Sequence, residues 1–472
     1  MLPHCANRDL KSLCEHIWST CPMGADKQAA GRIFRRLRLA RGWSWADQAR
    51  ELRASARSMG FARISAAGTA SIQRNIARWE SGTVKPGEQY QILLGHLYAR
   101  TSHGVVAVGP GSDFAEFLIA LTEFGATAEN IDELSSAVTS SVTDTGMSLL
   151  AFLGPPLRAE LAAALARPET LDAGLVEDLA AATRAVNHQI GSVPFARLHL
   201  AQAAVVDACR QFGCADLPPA VRRRLNEVAA TAFTLAARLA FETHDDMAAR
   251  GLYDEAVAVA SDLPDLWHRA AVRTSQTMVM YYTTGDSALG GRVADAAVRD
   301  ARQSGSLLVR ARAHAIQAEM AARDGRTRHA EAALHLAWHD LEADTSGDPA
   351  TGAFSPGHMR GFDGVCGIFL GEAEAAVRQL SQSAAALASP RDDVQRAIVL
   401  TDCALATLHT HSAGAAEETA NQLHDCVELI SATRGRVPAQ RLRQTRLELK
   451  PWRGESFVAD LDDHIHSAFI GV

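Results

Sequence analysis

No apolar run in these 472 residues approaches the length of about 18 that a membrane-crossing helix needs. A membrane-spanning protein is therefore not expected. Met1 to Thr20 contains no continuous apolar block, so no signal-peptide core is expected and a cytoplasmic location is. Aromatic residues are scarce at 6%, while 47% of the chain is hydrophobic and concentrated in Ala- and Leu-rich runs. Small aliphatic side chains in such runs fit closely packed helices, and no alternating strand pattern of useful length occurs.

Catalytic signatures are missing too. HExxH, GxSxG, GxxxxGK[ST] and GxGxxG do not occur in context. Gly285 to Gly291 (GDSALGG) has phosphate-loop spacing but lacks the Lys. No CxxC pair is present among the eight cysteines. In a cytosolic chain these are expected to be reduced, mostly buried hydrophobes. Cys5, Cys14, His16 and Cys21 cluster loosely, without zinc-site spacing. His335 and His339 lie one helical turn apart and are expected to face solvent. No enzyme activity, cofactor or metal is expected.

Charge is distributed unevenly. Residues 1–102 hold 3 Lys and 13 Arg against 7 acidic residues, net +9. The remainder holds 31 basic and 47 acidic residues, net −16. A basic head on an acidic body suits a tethered nucleic-acid binder, and the acidic part would be repelled by DNA.

The basic region contains Arg74 to Pro86, RNIARWESGTVKP. A helix over about 70–81, advancing about 100° per residue, places Ile72, Ile76 and Trp79 inward. Arg74 and Arg78 then face outward, with Ser71 nearby and Gln73 and Asn75 on the flanks. Arg, Gln and Asn are the side chains that pair bidentately with guanine and adenine edges. Gly82 suits a helix stop and Pro86 follows it. Upstream, Gly31 to Ser44 (GRIFRRLRLARGWS) reads as an amphipathic helix, and Ser44 with Asp47 as the cap of the next.

These residues resemble phage-repressor-like (XRE/Cro-type) helix-turn-helix proteins. The resemblance implies that the helix over about 70–81 reads the major groove of an operator. It implies an Arg38–Glu80 pair inside the head, with Trp79 and Gly82 as structural residues. Two features depart from the family. Trp45 stands where the family commonly has a DNA-contacting Gln, so that contact is not carried over. The turn between the second and third helices, Met59 to Thr69, exceeds the usual three or four residues. It is similar to the long turn of a group of actinobacterial regulators. It brings Arg57 and Arg63, which with Lys85 are candidate phosphate contacts; a solvated loop is the alternative.

The segment 101–112 contains Gly109-Pro110-Gly111 and reads as a linker. Helices are expected at about 146–166, 173–190, 195–212 and 219–242. Beyond 219, turns recur at His244-Asp245, Gly285-Asp286, Asp324-Gly325, Gly371 and Gly414, spaced 40 to 46 residues apart. Helix pairs at that period read as a solenoid, and the Ala-rich second helices resemble degenerate tetratricopeptide repeats. The glycines 357, 361, 364, 367 and 371 are expected to permit tight helix packing. The segment RGRVPAQRLRQTRLELKP is expected to cap the superhelix.

The expected fold is all-α, a helix-turn-helix bundle followed by an α-solenoid of tetratricopeptide-like pairs. Its parts are an N-terminal extension (1–22), a DNA-binding head (23–100), a linker (101–112), a helical connecting region (113–218), repeats (219–450) and a tail (451–472). The expected function is a DNA-binding transcriptional regulator. Its repeats would dimerise it and sense a peptide, a small molecule or a partner. Gln276, Met280, Tyr281 and Tyr282 are weak groove candidates. Two alternatives remain: a ligand-independent regulator whose repeats bind a partner protein, and a repeat scaffold whose head does not bind DNA.

Overall fold

The computed structural model describes residues 26–101, 105–143, 153, 155–193, 195–389, 392–433 and 435–470. The Cys5, Cys14, His16 and Cys21 cluster and the extension 1–22 lie outside them. Among the described residues the structure is helical, with one isolated antiparallel bridge between Arg100 and Val106 and no strand. No described helix is long and apolar enough to cross a membrane. The chain divides into two compact units at Ala159/Glu160.

The first unit contains α1 (Lys27–Ala40), α2 (Trp45–Ser58), α3 (Ala62–Ala66), α4 (Thr69–Glu80), α5 (Glu88–Tyr98), α6 (Asp113–Glu123) and α7 (Ala128–Thr143). Local chemistry sets their ends. The Asp26 side chain accepts from Ala29 N at the start of α1. Ser44 and Asp47 form a reciprocal capping box on α2. Gly82 takes φ +72° after α4, a left-handed position that favours glycine. Phe34, Leu37, Leu52, Ile72, Ile76 and Leu93 are buried together with Trp79.

This unit extends past the predicted head boundary. Residues 101–112 were expected to be a linker, yet Ala107 N donates to Ala99 O at 2.8 Å and turns the chain back. α6, expected in the connecting region, packs on α1, where Phe34 meets Phe117 and Phe124 at ring separations of 5.9 Å. Arg41 fixes that join. Its guanidinium donates to Asp113 at 3.0 and 2.8 Å and to Leu97 O at 2.9 Å. α7 packs on α5, where a Cβ on Gly95 would stand 2.9 Å from Val138.

In the second unit, α8 (Pro155–Ala166, crossing the division), α9 (Ala173–His188) and α10 (Phe195–Gly213) precede five helix pairs. The pairs are α11 (Pro219–Glu242) with α12 (Asp246–Ser261), α13 (Trp267–Thr284) with α14 (Ser287–Ala301), and α15 (Leu307–Arg323) with α16 (Thr327–Glu342). Then come α17 (Pro356–Leu370) with α18 (Ala373–Ala386) and α19 (Asp393–His409) with α20 (Ala415–Thr433). Each tight turn contains a left-handed residue: His244, Gly285, Gly325, Gly371 or Gly414. The second helices pack through alanines such as Ala256, Ala297, Ala330 and Ala337. A Cβ on Gly364 would meet Leu380 at 2.4 Å, and one on Gly357 would meet Ala386 at 2.8 Å. The glycine run therefore lets α18 approach α17. The first helices contact one another in succession, forming an inner layer.

The C-terminal segments differ from expectation. α21 (Arg436–Glu448) does not simply cap the last pair; it also touches α11 of the first. Arg436 N donates to Glu242 Oε2 at 2.6 Å, and the Arg436 guanidinium donates to Phe241 O at 2.9 Å. The inner layer thus closes on itself. Residues 451–472, expected to be a tail, include α22 (Ser456–Ile470), which packs on α20 with Val458 and Leu461 fully buried. Inside the closed layer lies a cavity of about 480 Å³.

Candidate nucleic-acid interface

α4 carries two chemically distinct faces. Ile72, Ile76 and Trp79 are no more than 3% exposed. Ser71, Arg74 and Arg78 are exposed, while Gln73 and Asn75 are partly buried at the edges. Asn75 bonds to Tyr90 of α5, so this edge residue is partly committed to the fold. Among the described residues, neither Arg74 nor Arg78 forms a side-chain hydrogen bond or ion pair. Two cations one helical turn apart, with no internal partner, can donate to phosphate oxygens or to base-edge acceptors.

The base of α4 is locked by charge. Arg38 donates from Nε to Glu80 Oε1 at 2.5 Å and from Nη2 to Oε2 at 2.8 Å. Its third bond goes to Trp43 O at 2.7 Å. Both side chains are under a tenth exposed. The bond to Glu80 raises the guanidinium's pKa, against the opposing effect of burial. Trp45 completes the cluster: its Nε1 donates to Glu80 Oε2 at 3.1 Å, and the Arg38 guanidinium lies 5.8 Å from its ring. Trp45 therefore covers the ion pair, with 44% of its surface still exposed.

Close backbone contact fixes the angle of α4 against α1. A Cβ on Gly31 would stand 2.4 Å from Glu80 O, and one on Gly82 would stand 2.3 Å from Lys27 O. Gly31 was not recognised as a contact residue; only its place near the start of a predicted helix was visible.

The long turn before α4 is structured. It contains α3, with Met59, Phe61 and Ile64 almost fully buried. Arg53, also unrecognised in the sequence, donates to Ser65 O at 3.3 Å and to Thr69 Oγ1 at 3.4 Å. Of the candidate phosphate contacts, Arg57 is exposed. Arg63 is exposed but reaches Gln89 Oε1 at 3.5 Å, and Lys85 is partly buried. His335 and His339 are both exposed on α16. Among the described residues no group of His, Cys, Asp and Glu is placed to hold a metal.

No family model matches the chain, and no curated protein matches it. Among solved structures it is similar to a signal transduction ATPase with numerous domains (STAND) protein with a tetratricopeptide repeat sensor from Pyrococcus horikoshii. That similarity has a TM-score of 0.37 at 12% identity, covering 88% of this chain and 74% of that one. The all-helical, repeat-like packing rests on the contacts described above.

Proposed function

We propose that this chain is a cytoplasmic, sequence-specific DNA-binding regulator, in which α4 enters the major groove and the closed repeat unit senses a signal. The observation that carries the reading is the pair Arg74 and Arg78, exposed and without internal partners on a helix whose opposite face is clamped by Arg38–Glu80. Rigid presentation of such side chains favours base-edge recognition. Arg57 on α2 supports a phosphate contact beside it. Two heads in a homodimer would read two half-sites, whose spacing reports the dimer geometry.

The second unit supports signal sensing more than docking of a large partner. Its closed inner layer surrounds a cavity of small-molecule size with a partly polar lining. Of the weak groove candidates, Tyr282 lines this cavity and accepts from Arg441 Nε at 2.6 Å, while Tyr281 accepts from Arg323 at 3.0 Å.

Selection of bound duplexes from a random-sequence pool with the full-length protein tests the DNA reading. An enriched, dyad-related sequence is expected. Recovery of no sequence above background at low salt would leave a repeat scaffold with an inactive head.

A further inference from the structure

The central cavity of the second unit is lined by α11, α13, α15, α17, α19 and α21. Most charges on its wall are paired. Arg441 binds Asp402, Glu319 at 3.2 Å and the Tyr282 hydroxyl. Glu319 also receives two bonds from Arg323, at 3.0 and 2.7 Å. Burial opposes ionisation of Glu319, but these two guanidiniums hold its pKa below the ordinary value.

Two wall residues break the pattern. Arg238 of α11 and Arg312 of α15 form no hydrogen bond or ion pair with the described residues. They lie close enough that the charge of Arg238 acts against that of Arg312, on top of the larger effect of burial. The carboxyl on which the Arg238 charge acts is Glu242, which Arg436 also influences, whereas no carboxyl is among the groups acting on Arg312. Burial raises the pKa of Glu242, and its Oε2 is occupied by Arg436 N. Even an ionised Glu242 leaves one guanidinium without a counter-charge. Arginine does not shed its proton to escape such a site. Both side chains are partly buried and border the cavity, where two neighbouring cations without a counter-charge repel each other, so an anion from outside the chain would be favoured between them.

We infer that this cavity binds a small anionic ligand with an apolar body, whose carboxylate or phosphate is gripped between Arg238 and Arg312. The fork of donors on each guanidinium matches the oxygens of either group. Met278, Ile316, Phe354, Phe362, Val365 and Val399 supply the apolar wall. A volume of about 480 Å³ accommodates a small molecule and excludes a folded partner. The inference deepens the sensing role proposed above and names the chemistry sensed. Arg238 and Arg312 sit on the first and third repeat pairs, so a bridging anion also couples separate repeats.

The test uses the full-length protein with three probes of one shape: 1-naphthyl phosphate, 1-naphthoate and neutral 1-naphthol. Binding is followed by calorimetry and by the melting temperature. At least one anion is expected to bind about ten-fold or more tightly than the alcohol. Preference for the phosphate or for the carboxylate identifies which group the site takes. Arg312→Met and Arg238→Met should each erase the preference. Unliganded Arg312→Met should melt no lower than the parent, because it removes a charge without a counter-ion. Arg238→Met keeps the test open if Arg312→Met fails to fold. Equal binding of the alcohol, no binding of any probe at millimolar concentration, or anion preference retained in both variants would overturn the inference. None of these measurements involves DNA, so their failure leaves the DNA-binding proposal standing.

Discussion

The Arg38 guanidinium spans 42 residues of sequence to grip both carboxylate oxygens of Glu80. It joins the last turn of α1 to the last residue of α4, beside the indole of Trp45. Removing either partner strands the other charge in a largely water-free site. Arg38→Ala or Glu80→Ala should therefore lower stability by about 3–5 kcal/mol. Trp45→Phe, which loses one bond to a charged acceptor, should cost about 1–3 kcal/mol. Urea unfolding of the full chain, followed through the transition of the first unit, measures both. Equal effects of the three substitutions would show that the ion pair does not dominate.

The angle between α1 and α4 depends on a glycine. With Glu80 O only 2.4 Å from the position of its Cβ, Gly31→Ala forces backbone apart rather than a movable side chain. The expected loss is about 1–3 kcal/mol, as for other overpacked contacts. Gly109→Ala, where a Cβ meets nothing within 4 Å, should stay within about 0.5 kcal/mol of the parent. If Gly31→Ala melts with Gly109→Ala, the two helices are free to slide and the close contact has no energetic role.

What could be read from the sequence was what local rules determine. The outward Arg74 and Arg78 and inward Ile72, Ile76 and Trp79 follow from helical periodicity, and α4 runs one residue earlier at each end than expected. The repeat turns follow from their left-handed residues, even where His244 substitutes for glycine. What escaped depended on distant partners. Gly109-Pro110-Gly111 announces a break but not that Asp113 returns to Arg41, 72 residues earlier. Nothing local in α21 shows that Arg436 meets Glu242 across 194 residues and closes the inner layer. Arg238 and Arg312 look like ordinary helix-surface cations until that closure turns them inward.

Recognition and affinity should separate on the first unit. Arg74→Ala or Arg78→Ala should weaken a cognate duplex by about 1–3 kcal/mol and relax discrimination at one position. Arg57→Ala should weaken all duplexes alike and reduce the slope of log affinity against log salt by about 1. Mobility shifts at several salt concentrations, with cognate and scrambled duplexes, give both quantities. Full discrimination in both α4 variants would mean that another face reads the bases.

His96 should make the first unit sensitive to acid. Its ring is buried on α5, with Nε2 at 2.8 Å from Ser141 Oγ of α7. Burial, with help from the Arg100 charge, lowers its pKa from 6.5 to about 4. The native fold thus favours the neutral ring, while the unfolded chain binds a proton below pH 6.5. The unfolded state binds more protons between the two values, so stability rises with pH across that window. The contribution is complete above pH 6.5 and disappears as pH falls towards 4. At about 1.4 kcal/mol per unit, the full loss is on the order of 3 kcal/mol. Unfolding free energies of the full chain at pH 7.5 and 4.5 should fall further for the parent than for His96→Gln, whose amide does not titrate. Identical losses in the two proteins would assign the acid sensitivity to other groups and leave His96 as a packing residue.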